Sequence, residues 1–249
     1  MRRKRRKTAK NRNRRIMYII LVVCAVLLVT GLVYVSKRLS HPDVKINKST
    51  YPICGIDVSN HNGAINFNRV AKDTISFVII KASEGINYKD PRFNSNYRNA
   101  RNAGLKVGAY HFFRKKKDGK LQADNFMRAV RGKAMDLPYV IDVEDWGDDL
   151  LVPEQEAIAN LQNMITRLQQ YGVKLMIYTN KDGHKKYIKA NFSHIHLWLC
   201  TFTEPSNITS YKWHIQQYSH WGQVDGIDGD VDLNIFNGTR EQWEAWLQE

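Results

Sequence analysis

Apolar and polar residues are laid out in two unlike ways along this chain. Residues 16–35, IMYIILVVCAVLLVTGLVYV, carry no charge for twenty positions. From Tyr51 onward, short apolar runs alternate with amphipathic stretches. Eight such runs stand out: 53–59, 77–85, 106–113, 138–145, 174–180, 197–202, 214–219 and 231–236. Runs of this length, bounded by turn residues, read as buried strands. Helical spacing links several of them. Ile158, Leu161, Ile165 and Leu168 share one face of 154–171, with Pro153 near the start and Gly172 at the end, the usual start and stop signals. Phe93, Tyr97 and Ala100 do the same over 91–103, and Leu121, Phe126 and Val130 over 121–131. Thr239-Arg240-Glu241-Gln242 spells a capping box ahead of Trp243, Trp246 and Leu247.

Buried strands alternating with helices predict a parallel sheet. Eight strands in about 200 residues match a β/α barrel at its lower size limit. The last three runs leave little room for helices between them. The expected fold is therefore α/β: an irregular TIM-like β/α barrel, with regular β/α units first and later strands joined by few helices. An open doubly wound sheet is the alternative. No Gly-x-Gly-x-x-Gly or Walker pattern follows a strand, which argues against nucleotide binding.

Twenty apolar residues just span a bilayer core as a helix. A helix buried in a globular domain would show a polar stripe, and 16–35 shows none. The run is longer than a signal-peptide core, and Val33-Tyr34-Val35 is a poor cleavage site. An uncleaved transmembrane signal anchor is expected. Cys24 lies in mid-run without a small residue before it, which argues against lipid attachment. Residues 1–15 hold ten Lys or Arg and no acid. The positive-inside rule keeps such a tail in the cytoplasm, near membrane lipids, and puts the remainder outside it. Residues 36–50 read as a polar linker, and 51–249 as the barrel.

Charge supports this division. Of the net +14, residues 1–50 supply 14 Lys or Arg against Asp43 alone, whereas 51–249 hold 24 against 23 acids. A nucleic-acid partner is not expected for a folded part so nearly neutral, and no protein partner can be inferred. Three cysteines make no disulfide framework. Cys54 and Cys200 fall in apolar runs and read as small buried hydrophobes, with a bridge between them left open.

The chemistry centres on Tyr139-Val140-Ile141-Asp142-Val143-Glu144-Asp145-Trp146. Strand side chains alternate, so Asp142 and Glu144 point the same way. Two carboxylates on one face repel and dehydrate each other. That raises one pKa and suits a general acid beside an ionised partner, as glycosidic cleavage requires. A D-x-E that merely ends a strand, or holds a metal or a cation, has the same spelling. Barrel enzymes carry their chemistry at the carboxyl ends of strands. There the sequence places Asp57, Glu84, His111, Tyr178, Trp198, Gln217, Asp230 and Asp232. Taken singly, Asp57 and Glu84 read as helix N-caps and His111 as a core histidine. Tyr110, Phe112, Tyr178, Trp198 and Tyr218 read singly as core aromatics. Together they describe an acidic cleft ringed by aromatics on which sugars stack. Asp228-Gly229-Asp230-Val231-Asp232 lacks the bidentate Glu of a calcium loop, no His/Cys set has zinc spacing, and no nucleophile elbow is present. No metal or cofactor is expected.

In order, Gly55-Ile56-Asp57-Val58-Ser59 with Asn62-Gly63 and Ile65, Phe77 through Gly85, Gly104 through Phe112, Asp142-Val143-Glu144, Gln217-Tyr218 and Val231-Asp232-Leu233-Asn234 resemble the family 25 glycoside hydrolases, the cellosyl-type lysozymes or N-acetylmuramidases. The resemblance covers about 51–237. It implies an irregular β/α barrel and cleavage of the β-1,4 bond between N-acetylmuramic acid and N-acetylglucosamine in peptidoglycan. It implies Glu144 as general acid and Asp142 as the group facing the 2-acetamido substituent or the charge at C1. Asp57 and Asp232 would complete the acidic cluster. Glu84, Tyr110, His111, Tyr178, Trp198, Gln217 and Tyr218 would bind substrate. His61 and Cys200 depart from common family residues. A non-catalytic glycan-binding barrel and a hexosaminidase acting on chitin-like chains are the alternatives. Both acids of the pair are present, against the first, and the D-x-x-D-x-D-x-E pattern is missing, against the second.

Overall fold

The computed structural model describes residues 2–39, 44–145 and 147–249, and the chain falls into two units, 1–43 and 44–249. In the first unit, helix α1 (Arg2–Leu39) contains Ile16–Ser36, a stretch of mean hydropathy 3.0 that is long and apolar enough to cross a bilayer. The helix begins at Arg2, so the basic segment is helical too, and it runs on into the segment read as a linker. Residues 40–43 of that linker lie outside the described residues.

The second unit has nine strands: β1 (Cys54–Val58), β2 (Ile75–Glu84), β3 (Tyr88–Lys89), β4 (Lys106–Phe112), β5 (Tyr139–Asp142), β6 (Leu175–Asn180), β7 (His196–Cys200), β8 (Ile215–Gly222) and β9 (Val231–Phe236). Eight close into a barrel, and β3 only hairpins onto β2. Strands β1, β2 and β4 to β8 run parallel. Strand β9 closes the barrel antiparallel to both β8 and β1, whereas the sequence pattern predicts a parallel sheet throughout. The reason is length. Residues 223–230 are too few for the crossover that a parallel return needs. Helices α3 (Phe93–Asn102), α4 (Gly119–Ala129) and α5 (Glu154–Gln170) follow the early strands; α2 (Phe67–Val70) and α6 (Lys181–Gly183) are single turns. A π-helical turn (His184–Ile188) and a 3-10 turn (Pro205–Ile208) serve the later strands.

Period-two alternation splits the strands between two apolar layers. Val78, Ile80, Val107, Ile141, Ile177 and Leu199 face outward and pack with Phe93, Phe126, Leu161 and Ile165 of the helices. Ile53, Phe77, Ile79, Val140, Met176, Trp198, Ile215 and Phe236 fill the barrel itself. Along the inward faces, apolar residues give way to polar ones: Ile53-Gly55-Asp57, Phe77-Ile79-Lys81, Val140-Asp142, Ile215-Gln217 and Phe236-Asn234-Asp232. The lower half is therefore a dry plug and the upper half a polar cup. Gly55 is required in the plug, because a Cβ there would lie 2.3 Å from the Phe77 ring. Gly119 lets α4 approach α5, since a Cβ would meet the Asn160 carbonyl at 1.8 Å.

Helix α7 (Arg240–Gln248) begins at the expected capping box. Thr239 Oγ1 accepts from Gln242 N at 3.3 Å, and Gln242 Oε1 accepts from Thr239 N at 2.8 Å. Its Trp243 and Trp246 join the inner layer, with Trp243 ring centroids 5.2 Å from Phe77 and 5.0 Å from Phe236. The helix thus stoppers the plug end. On α4, Phe126 and Val130 are buried as the sequence predicts, and Leu121 is not. Leu121 is exposed, and the buried positions are Gln122, Ala123, Asn125, Phe126 and Ala129. Gln122 is drawn inward because its amide serves backbone and His111 partners.

Trp243→Ala should destabilise the barrel by about 3–5 kcal/mol, the usual cost of removing a large buried aromatic. The urea midpoint followed by far-UV circular dichroism measures this. An unchanged midpoint would mean that the barrel end is sealed without α7.

Candidate active site

The polar cup holds a cavity of about 690 Å³ lined by Asp57, Asp142, Glu144 and Asp232 together with Lys81, Glu84, Tyr110, Tyr178, Trp198, Gln217 and His220. The topology explains the gathering. Asp57 of β1 and Asp232 of β9 are direct partners in the antiparallel pair that closes the barrel. Asp142, the last residue of β5, lies beside Phe112 of β4 and Tyr178 of β6. Glu144 sits two residues past the end of β5, on the loop rather than the strand.

Asp57 is the best-supplied acid. Its Oδ2 accepts from Gln217 Nε2 at 2.9 Å and from Asn234 Nδ2 at 2.8 Å. Those amides are oriented in turn. Trp198 Nε1 donates to Asn234 Oδ1 at 2.8 Å, and the Tyr178 hydroxyl donates to Gln217 Oε1 at 2.8 Å. An indole nitrogen can only donate, so the Asn234 amide can turn only its NH₂ toward Asp57. Burial nonetheless lifts Asp57 well above the ordinary carboxylate range, and the charge of Asp232 adds to the rise. Asp232 bonds His220 Nδ1 at 2.6 Å. Burial pulls the His220 pKa down, but the bond to Asp232 and the surrounding acids outweigh it and raise it.

The Asp142–Glu144 pair is compensated less. Burial raises Asp142 well above its ordinary value, with the Glu144 charge next and Lys81 opposing. Its Oδ1 is buried and has no hydrogen-bond partner among the described residues. Burial also raises Glu144, against the pull of His220. The Tyr178 hydroxyl is within hydrogen-bond reach of Glu144. Turned to Glu144, its single proton steadies the carboxylate. Committed to Gln217, it leaves an oxygen that accepts from protonated Glu144. The pair is therefore built to retain a proton where ordinary carboxylates have lost theirs.

The loop carrying Glu144 is pinned on both sides. Val143 O accepts from Thr179 Oγ1 at 2.8 Å, and Val143 N donates to Tyr178 O at 2.9 Å. Asp145 accepts from the Tyr187 hydroxyl at 2.8 Å and forms an ion pair with Lys115, whose side chain is wholly buried. Trp146, which the sequence places beside Glu144, lies outside the described residues.

Other expected residues fall differently. Glu84 lines the cavity but is engaged by Lys81 at 2.7 Å and by Arg114 at 2.5 Å. Burial would raise its pKa; these two cations lower it instead. Neither Asp57 nor Glu84 caps a helix; Ser59 caps the turn after β1. Tyr178 and Trp198 are almost fully buried and pack edge-to-face with centroids 4.5 Å apart, so they form the cavity wall rather than an open stacking platform. His111 and Tyr218 are absent from the lining. His111 points outward, because Tyr110 and Phe112 take the inward positions of β4. It is completely buried with Nδ1 2.8 Å from Ser83 Oγ, and burial depresses its pKa to about 4. Tyr218 packs on the outer apolar layer, beside Gln217 that takes the inward place on β8. Asp230 lies at the surface with Gln223 Nε2. Cys54 and Cys200 are buried free thiols. No group of three or more His, Cys, Asp or Glu among the described residues is arranged to hold a metal ion. The sequence reading missed His220, Lys81 and Lys115. Period two counted inward from Ile79 would have found Lys81; the others sit on irregular segments.

A closed β/α barrel with a proton-retaining carboxylate pair at a strand end defines a glycoside hydrolase. Comparison with known proteins agrees. The model of glycosyl hydrolases family 25 matches residues 56–227, and the chain belongs to that family. Lysozyme M1 of Streptomyces globisporus is 35% identical over 210 residues, covering 76% of this chain and 69% of that protein. A family 25 glycosyl hydrolase from Bacillus anthracis superposes with a TM-score of 0.75 at 32% identity, covering 83% of this chain and 98% of that one. The bacterial lysozyme of Streptomyces coelicolor gives a TM-score of 0.68 at 32% identity, covering 78% and 96%.

The His220–Asp232 pair has a measurable signature. Because the folded pKa of His220 lies above the free imidazole value, the pair stabilises the fold fully below about pH 6.5 and loses that contribution as pH rises through the folded pKa. In Asp232→Asn burial remains and the partner charge goes, so the His220 pKa should fall. NMR titration of the His220 ring protons reads this directly. An unmoved titration in the variant would show that the pairing does not control His220.

Proposed function

We propose that this protein cleaves the β-1,4 bond between N-acetylmuramic acid and N-acetylglucosamine in peptidoglycan. The lysozyme names of its relatives support the substrate class. The observation that carries the mechanism is the buried Asp142–Glu144 pair, raised in pKa and opening on the cavity. Glu144 donates its proton to the glycosidic oxygen, and the C1–O bond breaks. Positive charge grows at C1 and faces the Asp142 carboxylate. The unpartnered Oδ1 of Asp142 is a ready acceptor for the N–H of the 2-acetamido group. Water completes the hydrolysis and Glu144 recovers a proton. Asp57 and Asp232 support the negative field that keeps this proton in place. Lys115 acts one step removed, by fixing Asp145 and so the loop that carries Glu144.

In this reading residues 16–35 anchor the chain in the cytoplasmic membrane, with 1–15 inside, 36–50 as a tether and 51–249 outside. The apolar helix and the concentration of Lys and Arg before it support that arrangement. Protease added to intact cells should then digest the barrel while an N-terminal tag stays protected; a protected barrel would overturn the orientation.

Incubation with purified peptidoglycan and mass spectrometry of the new ends tests the reaction. Reducing-end muramic acid is expected, and reducing-end glucosamine would indicate a glucosaminidase. Glu144→Gln keeps shape but has no labile proton. It should lower turnover by about 10²–10⁴-fold, the span of general acid catalysis, with wall fragments still bound. Near wild-type hydrolysis by that variant would remove Glu144 from the mechanism. Lys115→Met should lower kcat by about 10–100-fold with little change in KM, because displacing a reacting group is costly even when binding survives. Loss of the folded circular dichroism signal in the variant would point instead to general unfolding, and an unchanged kcat in a folded variant would remove Lys115 from this role.

A further inference from the structure

The near-neutral charge of residues 51–249 hides a strong internal separation. Residues 88–133, from β3 through α4, contain 13 Lys or Arg and three acids, a net of +10. The remainder of 51–249 holds 11 Lys or Arg against 20 acids, a net of −9. Lys115 is buried against Asp145 and Arg114 turns to Glu84 in the cavity, but the cations around the end of α4 share one surface. Lys133 lies over the α3 rings of Phe93 and Tyr97 at 5.7 and 5.9 Å, and the Tyr97 hydroxyl bonds Ala134 O at 2.9 Å, which joins α3 to the end of α4. Asn125 of α4 donates to Gly85 O at 2.9 Å and Tyr88 O at 3.0 Å, which fastens the Lys89 hairpin to the same helix. Lys89 is near enough for its charge to act on Lys133.

On α4, Lys120, Asp124 and Arg128 follow at helical spacing, with Arg131 in the turn beyond. Lys120, Arg128 and Arg131 are exposed. Asp124, the acid in this row, is already taken by Arg167 Nε and the Tyr171 hydroxyl, each at 2.8 Å. Among the described residues, Lys89, Arg128, Arg131 and Lys133 form no ion pair with an acid. Three of them, Arg128, Arg131 and Lys133, line a cavity of about 520 Å³ with Asp124, Tyr139 and Tyr171. Cations spaced along a helix, with a pocket at one end whose single acid is already engaged by Arg167 and Tyr171, match a chain of repeating negative charges.

We propose that the outer face of α3 and α4 is a docking surface for a linear phosphodiester polymer of the cell wall, with phosphates seated at Lys89, Arg128, Arg131 and Lys133. A polymer fits better than a bilayer. The cations run from Lys120 and Arg128 on α4 through Arg131 and Lys133 to the Lys89 hairpin, and a flat sheet of headgroups meets only part of such a course. The surface lies apart from the acidic cavity, so it holds the enzyme on the wall without occupying the cleft. The identity of the polymer rests on the wall-glycan reading of the active site; the binding itself does not.

The test uses the full chain in detergent, sedimented with walls that retain their phosphodiester polymers and with walls stripped of them by hydrofluoric acid. Wild type should sediment with the first and about tenfold less with the second. The log–log salt dependence of binding should be steep, and shallower by about one per cation removed in Arg128→Gln/Arg131→Gln/Lys133→Gln. That variant should bind polymer-bearing walls about tenfold more weakly and hydrolyse a soluble, uncharged glycan fragment at the wild-type rate. Inorganic polyphosphate should displace the wild-type protein, a measurement that needs no variant. Equal binding to stripped walls, undiminished binding by the triple variant, or capture by phosphatidylglycerol vesicles in preference to polymer-bearing walls would each overturn the proposal. Loss of hydrolysis in the wild type with this binding intact would overturn the enzymatic reading alone.

Discussion

Dehydration of carboxylates is the constraint around which the barrel is organised. Asp57, Asp142, Glu144 and Asp232 share one cavity above an apolar plug. Burial disfavours the anions of Asp57, Asp142 and Glu144, and neighbouring acids add to the effect. The surroundings answer unequally. Asp57 receives two amide donors whose orientation is fixed from behind by Trp198 and Tyr178. Asp232 is bonded to the His220 imidazole, whose pKa it raises. Asp142 and Glu144 are left with the weakest compensation, and Asp142 has an oxygen with no partner. A proton is held where compensation fails, which is the property an acid catalyst needs near neutral pH.

Rigidity below the cavity follows from the same strands. Their inward faces change from apolar to polar partway up, so the side chains that pack the plug and the side chains that line the cup share backbones. Phe77 and Ile79 lie on the strand that presents Lys81, and Phe236 on the strand that presents Asn234 and Asp232. Helix α7 closes the plug with two tryptophans. Glu144 is the exception, standing beyond its strand, and a buried lysine two elements away supplies the anchorage that the sheet does not. A buried ion pair adds little net stability, so its place beside Glu144 is better explained by geometry than by stability.

The arrangement of charge also separates two tasks. Asp57, Asp142, Glu144 and Asp232 line the barrel mouth, and Lys89, Arg128, Arg131 and Lys133 lie outside its lining. Had both signs been mixed, the acids would have been neutralised by nearby cations, as Glu84 is by Lys81 and Arg114. Keeping most cations on another face leaves the pair its raised pKa.

Much of this was legible in the sequence. Apolar runs bounded by turn residues located all eight barrel strands, because a strand buried on both sides must be apolar throughout. The capping box of α7 and the apolar face of α5 were legible because they depend on residues a few positions apart. The acids of the cleft were legible because barrel chemistry collects at strand ends. The tertiary structure decided the rest. It made β9 antiparallel, through a connection too short to cross over. It turned His111 and Tyr218 away from the cleft, since only alternate residues face in. It left Leu121 of α4 exposed and buried Gln122 in its stead, because Gln122 has partners inside. It brought His220 to Asp232 and Lys115 to Asp145. Sequence patterns record what each element needs from its own neighbours along the chain. Pairings between groups far apart in sequence, and the pKa values that follow from them, exist only once the barrel has closed.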